Sequence, residues 1–153
     1  MFRGINTVSL DDKGRLAIPA RCREVLDISN SHGQLIVTID TEERCLLMYP
    51  LIFWEDIEKK IESLPSFNYV ARRIQRLLIG HATEIALDNQ GRILLPQELR
   101  EYASLKKRAV LVGQGKKIEI WDVKNWSAKR DDWLEISSLK EHDLPEELQT
   151  LSL

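Results

Sequence analysis

Leu10–Glu24 reads LDDKGRLAIPARCRE, and Leu87–Glu101 reads LDNQGRILLPQELRE. One phrase is written nearly twice. An offset of 77 places Val8–Leu26 on Ile85–Ala103. Seven pairs are then identical: Leu10/Leu87, Asp11/Asp88, Gly14/Gly91, Arg15/Arg92, Pro19/Pro96, Arg23/Arg100 and Glu24/Glu101. Most other pairs exchange one apolar residue for another, as in Val8/Ile85 and Leu16/Ile93. The turn, the proline and the charges recur in one order without gaps. Duplication of a structural unit explains this, and internal repetition decides architecture before any local pattern does.

The likeness continues more loosely. LIVTID (Leu35–Asp40) corresponds to AVLVG (Ala109–Gly113). CLLMYPLIFW (Cys45–Trp54) corresponds to KIEIWDVKNW (Lys117–Trp126), now at an offset of 72. The second copy is five residues shorter, and the losses fall in loops, which tolerate them best.

Each copy reads as β-β-α-β-β. Asn6–Leu10 and Arg15–Ile18 are short β-type runs around an Asp-Asp-Lys-Gly turn, which is Asp-Asn-Gln-Gly in the second copy. The first Asp accepts backbone N–H groups across the turn. Gly14 and Gly91 supply the positive φ of a tight hairpin with a bulge. Pro19 and Pro96 stand where a helix begins, because a first turn leaves its N–H groups unpaired anyway. The helices are Ala20–Leu26 and Gln97–Ala103. Strands Leu35–Ile39 with Leu46–Tyr49, and Val110–Val112 with Ile118–Trp121, complete the units. A unit of about 45 residues is marginal alone. The two are therefore expected to interlock as a pseudo-twofold β-core of the α+β class, with peripheral helices. The divisions are residues 5–52 for the first repeat, 53–80 for a connecting helical hairpin, 81–124 for the second repeat and 125–153 for a helical acidic tail.

In the connection, Pro50–Leu64 places Trp54, Ile57, Ile61 and Leu64 at helical spacing. Phe67–Ile79 comes next, with Val70, Ile74, Leu77 and Leu78 as its apolar stripe, and Gly80 as its stop. Another helix begins near Asp122, a residue suited to cap it, and carries Val123, Trp126, Trp133 and Leu134. A last helix is permitted from about Leu144. The tryptophans at 54, 121, 126 and 133 lie in or beside the amphipathic helices, so they read as packing residues between core and helices and not as a base-stacking platform.

The net charge of −2 hides a division. Residues 131–153 hold seven acids and one base, which leaves 17 acids and 21 bases in residues 1–130. The body is thus +4 and the tail −6. Such asymmetry points to a polyanion partner for the body, or to a tail that serves solubility. No apolar run approaches the roughly 18 residues of a membrane span. MFRGINTVSLDDKG has no apolar core of a secretory signal, so a cytoplasmic location is expected. Cys22 and Cys45 form no CxxC pair or metal-ligand pattern and read as buried, reduced thiols.

Enzyme chemistry finds little support. His32, His81 and His142 belong to no ligand or catalytic pattern. There is no G-x-S-x-G elbow. GQGKK at Gly113–Lys117 departs from a phosphate-binding loop and fits a hairpin turn. No enzyme activity, cofactor or metal is expected. Arg15 and Arg92 are more informative. Each comes directly after its turn glycine, where the chain is exposed, and a guanidinium suits phosphate oxygens and the O6/N7 edge of guanine. The alternative is an internal bridge, Asp11 to Arg15 and Asp88 to Arg92. The two readings are compatible if each Asp orients an arginine that reaches outward.

MFRG at the start, VSLDDKGRLAIPARCRE, LLMYPLIFWEDIEKKI, ARRIQRLLIGHATE, IALDNQGRILLPQELRE and LVGQGKKIEIWD together resemble the MraZ family, bacterial regulators built from two AbrB-like (SpoVT-AbrB) units. The likeness covers the chain through Trp126. It implies a double swapped-hairpin core and a ring-shaped homo-oligomer associated with the nucleoid. It implies a sequence-specific DNA-binding repressor that acts at direct repeats in double-stranded DNA upstream of its own operon, in the division and cell-wall gene cluster. The family's contact motif D-x-x-x-R maps onto Asp11…Arg15 and Asp88…Arg92. Lys13 and Arg3 are the expected phosphate contacts of the first copy. The second copy has Gln90 in place of Lys13 and no counterpart of Arg3. Rival readings are an antitoxin that engages a toxin through the acidic tail, and a ring-forming scaffold with no DNA role.

Overall fold

Eight strands make two sheets in the computed structural model, which describes residues 1–28, 32–135 and 145–152. The elements in chain order are β1 (Phe2–Ser9), β2 (Arg15–Ala17), α1 (Ala20–Ile28), β3 (Gln34–Ile39), β4 (Leu46–Pro50), α2 (Leu51–Glu62) and α3 (Tyr69–Ile74). A π-helical turn, Gln75–Ile79, continues α3. Then come β5 (Thr83–Ala86), β6 (Arg92–Leu94), α4 (Gln97–Tyr102), β7 (Arg108–Gly115), β8 (Ile118–Asp122), α5 (Val123–Glu135) and α6 (Glu146–Gln149). The molecule is a mixed α and β protein with an antiparallel sheet. It divides into a unit Met1–Val123, which holds every strand, and a unit Lys124–Leu153.

The six-stranded sheet runs β1-β7-β8-β4-β3-β5, and β2 pairs with β6 in a separate two-stranded ribbon. Exchanging the two repeats (β1 with β5, β2 with β6, β3 with β7, β4 with β8) leaves this order unchanged. The expected β1–β2 hairpin is not a continuous ladder. After the turn the two strands are joined by one bridge, Leu10 to Leu16, and by the Asp11 N–H to Arg15 carbonyl bond of 2.9 Å. Beyond that β1 pairs along its whole length with β7, and β2 leaves to meet β6. A strand of three residues cannot hold a register by itself, so each repeat takes its partner from the other. This crossing also makes β1 and β7 longer than their apolar runs, since backbone pairing continues past the last buried side chain.

Both faces of the central strands are covered. Val37, Ile39, Leu46, Met48, Leu111, Ile118 and Ile120 face one cluster, which Leu16, Ile18, Leu26, Ile93, Leu95 and Leu99 complete. Ile36, Leu47 and Tyr49 face the other, under Trp54 of α2 and beside Leu78 and Ile79. Burial on both sides explains why LLMYP of β4 is apolar without alternation. Thr38, fully buried in this layer, is satisfied because its hydroxyl donates to the Leu78 carbonyl at 2.7 Å.

The second connecting helix departs from a single stripe. Asn68 caps it by accepting the Ala71 N–H at 3.0 Å. The π-helical turn then inserts extra backbone and rotates the residues beyond it by roughly 100°. Ala71, Leu77, Leu78 and Ile79 face inward, while Val70 is left 58% exposed. Gly80 does not end the helix in a left-handed conformation; its φ is −59°. In the second unit the rings of Trp126 and Trp133 stack edge to face at 6.2 Å. His142 and the expected helix start at Leu144 lie outside the described residues.

Candidate nucleic-acid interface

The two turns have one geometry. Asp11 Oδ1 accepts the backbone N–H groups of Lys13 (3.0 Å) and Arg15 (2.8 Å), and its Oδ2 accepts Arg15 Nε–H at 2.7 Å. Asp88 does the same with Gln90 (2.9 Å), Arg92 (2.8 Å) and Arg92 Nε–H (2.9 Å). The backbone N–H of the arginine in the same turn lowers each carboxyl's pKa most; burial opposes this, and the guanidinium adds to the lowering. Gly14 and Gly91 stand at φ +88° and +72°, the left-handed region the turn requires.

Each aspartate therefore does two things. It closes its turn, and it holds one edge of a guanidinium. Among the described residues no partner engages the terminal NH2 groups of Arg15 or Arg92. The internal bridge exists, and it leaves the outer edge of each arginine free to bond elsewhere.

Register puts the two arginines on one surface. In the ribbon Arg15 lies opposite Leu94, Leu16 opposite Ile93 and Ala17 opposite Arg92. Leu16 and Ile93 point into the core. Alternation sends Arg15, Ala17, Arg92 and Leu94 to the other face. Arg15 and Arg92 are diagonal neighbours there, with Cα atoms about 7–8 Å apart. The turns sit at opposite ends of the ribbon because its strands are antiparallel. Leu94 flanks both arginines, opposite Arg15 and two residues along the strand from Arg92, and is 54% exposed. Sequence reasoning misses Leu94 and Ala17, since a three-residue run carries too little alternation to show its open face.

It also misses the residues beneath the turns. A Cβ on Gly14 would come within 2.6 Å of Arg100 Nε, and one on Gly91 within 2.5 Å of an Arg23 terminal nitrogen. The Ile18 N–H donates to the Gly91 carbonyl, and the Leu95 N–H to the Gly14 carbonyl, both at 2.9 Å. Each repeat thus seats the turn of the other. Arg100 Nε donates to the Leu95 carbonyl at 3.0 Å, whereas the buried Arg23 Nε has no partner among the described residues. The signal is present in the identity of the Arg23/Arg100 pair.

Lys13 is exposed at the tip of the first turn. Arg3 is not brought there. It pairs with Gln114 in β1, roughly 24 Å along an extended strand from Leu10. Cys22 and Cys45 are buried free thiols. Burial raises both pKa values, so neither suits nucleophilic work.

Comparison with known proteins agrees with the repeat. A family model described as "MraZ protein, putative antitoxin-like" matches residues 1–77 and again 78–143. The chain is 58% identical over 153 residues, the whole of both chains, to a Coxiella burnetii protein named transcriptional regulator MraZ. Proteins of the same name from Legionella pneumophila and Halorhodospira halophila are 53% and 50% identical, again over the full length of both chains.

Proposed function

Since the chain belongs to the MraZ family, we propose that it is a sequence-specific DNA-binding transcriptional regulator that uses the open face of the β2–β6 ribbon. The observation that carries this reading is the shared surface of Arg15 and Arg92, each steadied by its own aspartate with its terminal nitrogens uncommitted. The major groove of B-DNA, about 12 Å wide, admits a two-stranded ribbon. Guanidinium groups at two corners suit guanine edges or phosphates, and Leu94 at a third corner suits a thymine methyl. Lys13 adds a phosphate contact at one end only, because Gln90 replaces it at the other. Arg3 reaches phosphate only where the duplex also passes the far end of β1.

In this reading the symmetric strand order is that of a double swapped-hairpin, AbrB-like core. Residues 5–52 and 81–124 are its SpoVT-AbrB units, 53–80 the connection and 125–153 the acidic tail. One protomer reads a short site. A ring-shaped homo-oligomer places several protomers on direct repeats, where linked weak sites gain by effective concentration. Covering a promoter upstream of its own operon then represses it. A cytoplasmic, nucleoid-associated location accords with such a role; among the described residues no helix is long and apolar enough to cross a membrane.

The test is a footprint of the purified protein on DNA upstream of its own gene, repeated at several salt concentrations. Protection at short repeats in one orientation is expected. Arg15→Ala and Arg92→Ala should each weaken binding while the oligomer stays whole by native mass spectrometry. Each lost phosphate contact lowers the log–log salt slope by about 0.9, and each lost base contact leaves it unchanged. An oligomer that falls apart in Arg15→Ala would assign that residue to assembly. Absence of any footprint, with a partner protein held through the tail, would favour the antitoxin reading.

A further inference from the structure

Away from the ribbon, on the α2 side of the main sheet, three potential ligands meet. Asp40 comes directly after β3, Cys45 directly before β4, and Glu119 lies in β8. Glu119 is opposite Leu47, and Thr38 is opposite Leu47 on the other side. Alternation therefore puts Asp40, Cys45 and Glu119 on one face of three neighbouring strands. One ligand atom from each lies within 4.8 Å of the others.

We propose that Asp40, Cys45 and Glu119 form a binding site for one divalent cation of the zinc class. Zinc bonds to sulfur and oxygen run about 2.0–2.3 Å, which sets tetrahedral ligand atoms roughly 3.3–3.8 Å apart. The carboxylates close that gap by small side-chain rotations. Their outer bonds already aim them: Asp40 Oδ2 accepts the Glu43 N–H at 2.9 Å, and Glu119 Oε1 accepts Trp121 Nε1–H at 2.9 Å. Such second bonds orient ligands in built metal sites. The thiol is the decisive member. Cys45 is 0% exposed, and its sulfur lies within 4.8 Å of a carboxylate oxygen of each acid. A buried cysteine that only fills space has no need of such company. Metal binding releases the Cys45 thiol proton to solvent; the resulting thiolate selects zinc, cadmium or cobalt over magnesium or calcium, and three protein ligands leave a fourth position for water. Bound metal would tie the β3–β4 hairpin of one repeat to β8 of the other.

The experiment uses the purified full chain, stripped with chelator and titrated with Co²⁺, then Zn²⁺. A thiolate-to-cobalt charge-transfer band that saturates at one equivalent is expected, and Zn²⁺ should displace it. The band should persist in Cys22→Ser and vanish in Cys45→Ser. Asp40→Asn and Glu119→Gln lie outside the core and serve should Cys45→Ser fail to fold. Each should weaken Co²⁺ binding by about tenfold or more, the range seen even for outer partners of a metal. No charge-transfer band, a band retained in Cys45→Ser, or unchanged affinity in both carboxylate variants would overturn the site.

Discussion

Gly14→Ala should destabilise the protein far more than one added methyl suggests, and the structure says how the cost divides. The residue stands at φ +88°, where an L side chain crowds its own backbone. That conformation costs about 1–2 kcal/mol. The new Cβ would also sit 2.6 Å from Arg100 Nε, which cannot simply swing aside because it donates to the Leu95 carbonyl. Displacing it forfeits a charge-assisted hydrogen bond, about 1.5–3 kcal/mol. The sum is about 2.5–5 kcal/mol, read as a lowered denaturation midpoint at unchanged m-value. A double-mutant cycle separates the two parts. With Arg100→Ala in place the clash has no partner, so Gly14→Ala should cost only the backbone part, about 1–2 kcal/mol, leaving a coupling of about 1.5–3 kcal/mol. Gly80→Ala is the control. Its φ is −59° and nothing lies within 4 Å of its Cβ. Replacing glycine there should stabilise by roughly 0.5–1 kcal/mol. A Gly14→Ala cost below about 1 kcal/mol, or one that Arg100→Ala leaves unchanged, would refute the cross-repeat seating of the turn.

Other outcomes rest on the same geometry. Asp11 and Asp88 have carboxyls held below the ordinary 3.8, so their contribution to stability is present above that pH and is lost as pH falls below it; Asp11→Asn with Asp88→Asn should flatten the acid limb of the stability curve, and an unaltered limb would show the turns add nothing. Leu94→Asp, on an exposed ribbon position, should change stability by no more than about 0.5 kcal/mol. It should nonetheless weaken operator binding by about tenfold or more, roughly 1.4 kcal/mol, by setting a negative charge against phosphates; full binding would remove the ribbon from the interface. Trp54→Ala, at a site 2% exposed and packed against the Tyr49 ring at 5.7 Å, should cost about 3–5 kcal/mol in denaturation. A much smaller loss would mean that α2 contributes little to the second layer.

The legible part of the fold is the part that backbone preference dictates within a few residues. Gly14 and Gly91 have the positive φ that an Asp-x-x-Gly turn asks for, and helices begin directly after Pro19 and Pro96. Trp54 and Ile61 of α2 are buried as their spacing predicts. Val70 leaves its expected stripe because a π-helical turn breaks the regular period, and no residue type announces that break.

Two like units, the shape of each turn and the acid within reach of each arginine are legible in the bare sequence, because the turns depend on steric preferences over four or five residues. Tertiary structure alone decided that β2 finds β6, that Leu94 shares a face with Arg15, that Arg23 and Arg100 lie under each other's turns, and that Glu119 arrives beside Cys45. Those partners are more than 60 residues apart. Only the joint burial of two incomplete cores brings them together, and no local preference encodes that distance.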